Sequence, residues 1–255
     1  MQNVNISHDG PVTFIKLNRP QAMNSITDEM HHNLNAAFDD FSSNKNQLVA
    51  VISGEGDKAF CAGSDLNDGI DGEYPRGGYA GLINRFDLAK PVIAAVDGYA
   101  LGGGFELALA CDLIVASKRS TFGLPEPLVG AVALGGGLHR LPRQIGLKNA
   151  MAMILTSRKY SAEEGLRMGF VNEVVPHDEL SGVVKKYCYD ILKGAPMAIQ
   201  ASKMTVSKGL SEESLENAIA KQESYHEFIN WRNSNDAIEG IKAFSEKRKP
   251  NWTGS

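Results

Sequence analysis

The residues best placed to do chemistry lie between Ala94 and Asp112, where a short strand-like run is followed by Gly102-Gly103-Gly104 and then by Glu106. Val92 to Val96, a β-branched run after Pro91, reads as a buried strand, and Phe105 to Cys111 has helical composition. Glycines at such a corner let a backbone N–H approach a ligand closely. The new helix adds unpaired N–H groups and the positive end of its dipole. A corner of this kind can hold an anion or a developing oxyanion, and a glutamate in the first helical turn is electrostatically favoured. Taken alone, the stretch is read as a glycine-rich strand–helix turn with a dipole-matched glutamate, an anion site being the alternative. A second small-residue segment, Phe60-Cys61-Ala62-Gly63-Ser64-Asp65, also permits close backbone approach.

These residues need elements to hold them. Val12 to Leu17 reads as a strand ended by Asn18-Arg19-Pro20. Thr27 is expected to cap a helix with Asp28 and Glu29 in its first turn and an apolar stripe of Met30, Leu34, Ala37, Phe38 and Phe41. Leu48 to Ile52 is another strand. Asp68 to Gly81, rich in Gly, Asp and Tyr, shows no period and reads as a mobile loop. Short apolar strands recur at Leu113 to Ala116 and Phe170 to Val175, so the alternation argues an α/β fold without a fixed-period sequence repeat.

After Pro196 the sequence turns helical. Leu215, Ala218, Ile219, Gln222, Tyr225 and Phe228-Ile229 follow helical spacing, and Asp236 with Glu239 resembles a capping box for a helix through Ile241 and Phe244. The expected division is a core over 1–194 and a helical region over 195–255. Exposed apolar faces on that region would suit subunit contacts.

Composition narrows the class. The 255 residues are 43% apolar and 22% charged, ordinary for a globular protein. A net charge of −4 gives no general attraction to nucleic acid or anionic membrane, and no apolar run reaches spanning length. The first residues carry neither the basic nor the apolar region of a secretory signal. Cys61, Cys111 and Cys188, odd in number and unrelated in spacing, read as reduced thiols in a cytoplasmic protein. The six histidines form no zinc spacing, so no metal is expected. Gly54-x-Gly56 lacks the third glycine of a dinucleotide fingerprint, and no phosphate-loop motif occurs. Gly135-Gly136-Gly137 has no special spacing and reads as a tight helix approach.

Four segments in order resemble the enoyl-CoA hydratase/isomerase (crotonase) superfamily. They are Asn18-Arg19-Pro20-Gln21-Ala22-Met23-Asn24-Ser25, Lys58-Ala59-Phe60-Cys61-Ala62-Gly63-Ser64-Asp65-Leu66, Gly98 to Asp112, and Phe244-Ser245-Glu246-Lys247-Arg248-Lys249-Pro250. The resemblance implies an α/β spiral of ββα units over 1–194, a C-terminal helical trimerisation region over 195–255, and an acyl-CoA thioester substrate. It implies no separate cofactor, coenzyme A being part of the substrate, and a homotrimer or homohexamer as the assembly. Residue by residue, it puts the oxyanion hole on the backbone N–H groups of Ser64 and Gly103. It puts the catalytic acids on Glu106 and Glu126, the latter in Phe122-Gly123-Leu124-Pro125-Glu126. CoA-binding positions fall on Ala22, Lys58, Ala62, Phe244 and Lys247, the last two approaching the adenine and 3′-phosphate from the adjacent protomer. One departure stands out: many hydratases carry a Pro-Gly-x-Gly-Gly-like segment after the second acid, where this chain has Ala133-Leu134-Gly135-Gly136-Gly137-Leu138-His139-Arg140-Leu141.

A thioester enolate needs two donors aimed at its carbonyl oxygen, and two carboxyls around one water can take one proton and deliver another. The leading expectation is therefore a hydro-lyase acting on a 2-enoyl-CoA. A double-bond isomerase would need only one glutamate. A non-catalytic RNA-binding or scaffold role is disfavoured by the acidic balance and the lack of a long Lys/Arg run. Gly77-Gly78-Tyr79-Ala80-Gly81-Leu82, Gly104-Phe105-Glu106 and Asp236-Ala237-Ile238-Glu239-Gly240 look most like the carnitinyl-CoA dehydratase branch. Its substrate ends in a trimethylammonium, for which Asp68, Asp71, Glu73, Tyr74, Tyr79 and Phe86 are the candidate contacts. The alternative is that these acids solvate a loop and the aromatics line a short acyl pocket.

Overall fold

Val4–Asp9 (β1) and Val12–Leu17 (β2) open the chain as an antiparallel hairpin turned at Gly10, whose φ of 55° suits glycine. The structure, a computed structural model, describes residues 3–68 and 73–255. Asp28–Ser43 (α1) follows, then Val49–Gly54 (β3) and Ala59–Cys61 (β4). Val92–Val96 (β5), Tyr99–Leu101 (β6) and Gly103–Ala110 (α2) form the next turn, and Leu113–Ser117 (β7) and Thr121–Gly123 (β8) the one after. Gly137–Ile145 (α3), Leu147–Thr156 (α4), Tyr160–Ser161 (β9), Ala162–Met168 (α5), Glu173–Val175 (β10) and Leu180–Leu192 (α6) complete this part. From Pro196 the chain is helical: Pro196–Gly209 (α7), Leu215–Lys221 (α8), His226–Arg232 (α9) and Asn235–Ser245 (α10).

The pairing explains the order. One sheet runs β1-β2-β3-β5-β7-β10 and the other β4-β6-β8-β9. Each successive pair, β3/β4, β5/β6 and β7/β8, places its first strand in the larger sheet and its second in the smaller. Within each sheet those strands pair parallel with their counterparts from the neighbouring turn. This is the spiral of ββα turns that the resemblance implies. β5 is buried along its whole length, as a parallel strand covered on both faces must be.

Helix α1 buries Met30, Leu34, Ala37, Phe38 and Phe41, the stripe read from the sequence, and Thr27 Oγ1 accepts the Met30 N–H at 3.3 Å. Its far end is closed by buried Lys90, whose Nζ donates to the carbonyls of Phe41 and Asn44, both at 2.8 Å. Behind α2, the rings of Phe105, Phe122 and Phe170 meet with centroids 5.1–5.3 Å apart.

Several expectations are corrected. β1 has no signal in the sequence, because only Val4 of its six residues is buried and its face carries no apolar period. The last strand begins at Glu173, with Phe170 and Val171 buried ahead of it. The run from Leu215 is broken at Gln222–Ser224 by a 3-10 turn between α8 and α9. Helix α10 is capped by Ser234, which accepts the Ala237 N–H at 3.1 Å; Asp236 is instead buried and accepts the N–H groups of Thr253 and Gly254, folding the tail back. Residues Gly77–Gly81 of the expected mobile loop are buried and tied to α1: Gly77 N–H donates to Asn35 Oδ1 and Ala80 N–H to His31 Nδ1, each at 2.9 Å.

Candidate functional site

The corner before α2 is built from glycine because nothing larger fits. Gly102 takes φ 55° and ψ −130°, and its N–H donates to the Gly123 carbonyl at 2.9 Å. On the neighbouring turn, a single parallel bridge joins Ile26 to Ser64 through Ile26 N–H to Gly63 O at 2.8 Å and Asp65 N–H to Ile26 O at 2.9 Å. That pattern leaves the Ser64 N–H unspent. Among the described residues, neither it nor the Gly103 N–H donates to a protein acceptor. A Cβ on Gly63 would lie 3.2 Å from the Gly103 nitrogen, so the two segments adjoin.

The N-terminal motif braces this pair. Arg19 bridges to Asp65 Oδ2 at 2.9 Å and donates to Ser25 O at 2.8 Å. Asn24, fully buried, accepts the Arg19 N–H and donates to the carbonyls of Glu55 and Ala59 at 2.9 and 2.7 Å.

Two carboxyls face this corner. Glu106 is 2% exposed, and its Oε1 accepts the Gly137 N–H at 2.7 Å. Burial raises its pKa; the backbone donors of Gly137 and Gly135 and the charge of Arg140 oppose this without cancelling it. Glu126 opens a 3-10 turn over Glu126–Val129, after Pro125. Its Oε1 lies 3.1 Å from where a Cβ on Gly102 would sit, and its Oε2 is buried without a partner among the described residues. Burial, helped by the nearby Glu106 charge and opposed by its own backbone N–H, pushes the Glu126 carboxyl up to about 7. A carboxyl so poised exchanges protons readily near neutrality.

An aromatic wall closes one side. Tyr79 packs so tightly on Gly103 that a Cβ there would run into its Oη and Cζ, and Ser64 Oγ donates to Tyr79 Oη at 3.4 Å. The rings of His31, Tyr74 and Tyr79 have centroids 4.7–6.0 Å apart. Burial lowers the His31 pKa to about 4, so its neutral ring accepts the Ala80 N–H through Nδ1. Of the other trimethylammonium candidates, Asp68 Oδ2 accepts the Asp28 N–H at 3.2 Å, Glu73 is exposed, Phe86 lies 5.6 Å beneath the Arg140 guanidinium, and Asp71 lies outside the described residues.

The positions matched to CoA contacts fall into two groups. Ala22 ends a 3-10 turn whose next residue, Met23, offers its carbonyl to the Ala62 N–H at 3.0 Å, so Ala22 and Ala62 flank the Ser64 segment. Lys58 is exposed just before β4. Phe244, 88% exposed, and Lys247, at φ 54°, sit at the end of α10. Among the described residues, no hydrogen bond or ion pair ties these two to the first group. Gly135 and Gly137, which the sequence reading set aside, cradle Glu106; their signal was the glycine run following the second acid. The missing proline leaves that cradle intact. Three or more His, Cys, Asp or Glu side chains converge nowhere among the described residues.

A ββα spiral whose adjacent turns present two unspent backbone N–H groups beside one buried and one half-buried carboxyl defines a protein of the crotonase class. The sequence agrees, matching the enoyl-CoA hydratase/isomerase family over residues 8–255, and the chain belongs to that family. It is 41% identical to proteins named carnitinyl-CoA dehydratase from Salmonella enteritidis PT4 and Salmonella gallinarum, covering 99% of both chains in each case. Among solved structures it is similar to the enoyl-CoA hydratase of Mycobacterium tuberculosis H37Rv, with a TM-score of 0.92, 37% identity and 99% of both chains covered. An enoyl-CoA hydratase from Bacillus anthracis superposes with a TM-score of 0.90 at 33% identity, covering 100% of both chains.

Proposed function

We propose that the chain is a hydro-lyase that adds water across, or removes it from, the 2,3 bond of an acyl-CoA thioester. The observation that carries this reading is the pair of carboxyls, Glu106 buried and Glu126 half-buried with its Oε2 enclosed, beside the unspent N–H groups of Ser64 and Gly103. In hydration, Glu106, oriented by Gly137, takes a proton from water as its oxygen bonds to C3. The π electrons move toward C2 and the carbonyl, and the resulting enolate oxygen is held by the two N–H groups. Glu126, with its carboxyl near 7, delivers a proton to C2. Dehydration is the reverse. An isomerase needs only one such acid, and the presence of two supports hydration.

Ala22, Lys58 and Ala62 would meet the CoA arm near the oxyanion pair. Phe244 and Lys247 would reach the adenine and 3′-phosphate of a neighbouring protomer in a homotrimer or homohexamer. The exposed Leu210, Ile238, Ile241 and Phe244 on and beside the C-terminal helices support such an assembly. No helix of the described residues is long and apolar enough to cross a membrane. A cytoplasmic location is supported instead by Cys61, Cys111 and Cys188, three buried free thiols.

A second reading is carnitinyl-CoA dehydration, the activity named for the Salmonella relatives. It is favoured by Tyr74, a half-exposed ring whose pKa is raised by partial burial and then by the nearby Glu106 carboxylate. Three rings 4.7–6.0 Å apart leave no gap for a trimethylammonium between them, so the cation would rest on the outer face of Tyr74. Loss of enoyl-thioester absorbance with crotonyl-CoA and with crotonobetainyl-CoA tests both readings. Activity on neither would overturn the hydro-lyase, and a specificity constant favouring crotonyl-CoA would overturn the carnitine reading.

A further inference from the structure

Beside the two backbone donors stands a hydroxyl with no role so far. Tyr79 is 3% exposed, and its Oη bears on Gly103 on one side and on Ser64 on the other. It therefore lies between the two residues whose N–H groups form the oxyanion pair. Its oxygen accepts from Ser64 Oγ, while its own O–H meets no acceptor among the described residues. A buried hydroxyl proton left without an acceptor is unfavourable and uncommon in a folded protein, and it calls for a partner that arrives later.

The segment carrying Tyr79 is also held under strain. Ala80 takes φ 50°, a conformation alanine rarely adopts, and its N–H is fixed on His31 Nδ1 at 2.9 Å. Gly81 presses on the α1 backbone at Leu34 and Asn35, where a side chain could not fit. Such strain persists where surrounding contacts over-determine a position, commonly beside a reacting group. Burial, with Cys61 and Glu106 nearby, keeps the phenol protonated and so a donor.

We propose that Tyr79 is a third oxyanion donor, its O–H reaching the thioester carbonyl oxygen that the Ser64 and Gly103 N–H groups also hold. Charge on that oxygen grows from thioester to enolate, and a hydrogen bond to a charged oxygen is the stronger kind. The assignment rests on the hydro-lyase reading.

The test compares wild type with Tyr79→Phe. One readout is the absorption of a bound push–pull cinnamoyl-CoA thioester, which moves to the red as its carbonyl is polarised; the other is kcat and KM on crotonyl-CoA. Removing an oxyanion donor typically lowers kcat by about 10²–10³; for a donor added to two others, a loss of about tenfold or more is expected, with KM little changed and a smaller red shift. An unchanged red shift in Tyr79→Phe, whatever happens to kcat, overturns the proposal and leaves the hydro-lyase standing. Should the phenylalanine variant melt early, 3,5-difluorotyrosine at position 79 keeps the ring and makes a stronger donor. The red shift must then grow, and an unchanged one overturns the proposal. No red shift in wild type with the thioester bound would overturn the oxyanion reading itself.

Discussion

The N–H of Gly137 donates to Oε1 of Glu106 at 2.7 Å, across 31 residues of sequence. The same turn brings Gly135 so near that a Cβ there would stand 2.5 Å from Glu106 Oε2. Glu106 is thus aimed by backbone, with no room for a side chain behind it. Gly135→Ala is expected to shift the carboxyl by a fraction of an ångström to an ångström, which at a reacting group lowers kcat by about 10²-fold. KM should change little and the circular-dichroism melt less than it would for a core cavity. Unaltered kcat would show that Glu106 is not held for chemistry.

Glu106→Gln and Glu126→Gln should each lower hydration turnover by about 10²–10⁴-fold, the usual worth of a positioned acid or base. Glutamine keeps the size of each side chain, so thioester binding, read by calorimetry, should survive. A variant that retains near wild-type turnover would remove that residue from the pair.

The pH dependence follows from Glu126. Its folded value near 7 stands above the ordinary 4.5, so between those values the folded chain keeps a proton that the unfolded chain has released. Stability is then fully present below about 4.5 and falls as pH rises through 7. Glu126→Gln lacks this titration, and its melting temperature should gain on wild type across that window. Activity needs one proton on the pair, so kcat/KM should fall above about pH 7. Hydration takes up no net proton, so the same limb must appear in both directions. A profile flat to pH 9 would contradict the assignment.

Lys247 can be separated from a merely solvated cation by its ligand. Lys247→Ala should raise KM for crotonyl-CoA several-fold and leave KM for the dephospho-CoA thioester, which lacks the 3′-phosphate, nearly unchanged. Light scattering should report a trimer or hexamer. A monomer, or equal effects on both thioesters, would count against a contact from the neighbouring protomer.

Much of the frame was legible in the chain. β2 and β5 fall where their apolar runs predict, and α1 begins after its Thr27 cap, because local pattern and tertiary burial agree there. The glycines at 63, 102 and 103 pointed to close backbone approach for the right reason: side chains would collide. Other features were silent because distant residues decide them. β1 is polar yet pairs through its backbone with β2. Tyr79 looks like a loop aromatic until Gly103, far along the chain, is brought against it. Asp236 has the spacing of a cap but is claimed by Thr253 and Gly254 at the chain's end.

The parallel pairing of β4 with β6 joins Ala59 to Tyr99, and only when those strands lie side by side do Ser64 and Gly103 become neighbours. Closing such a span costs chain entropy before any contact rewards it, so parallel pairings of this kind form slowly. Helices α1 and α6 to α10, by contrast, draw on local hydrogen bonds that form in about a microsecond. Helices this short are marginal until they pack, so the competence of the site rests on the slow pairing: until β4 and β6 lie in register, the two amides have no common oxygen to hold.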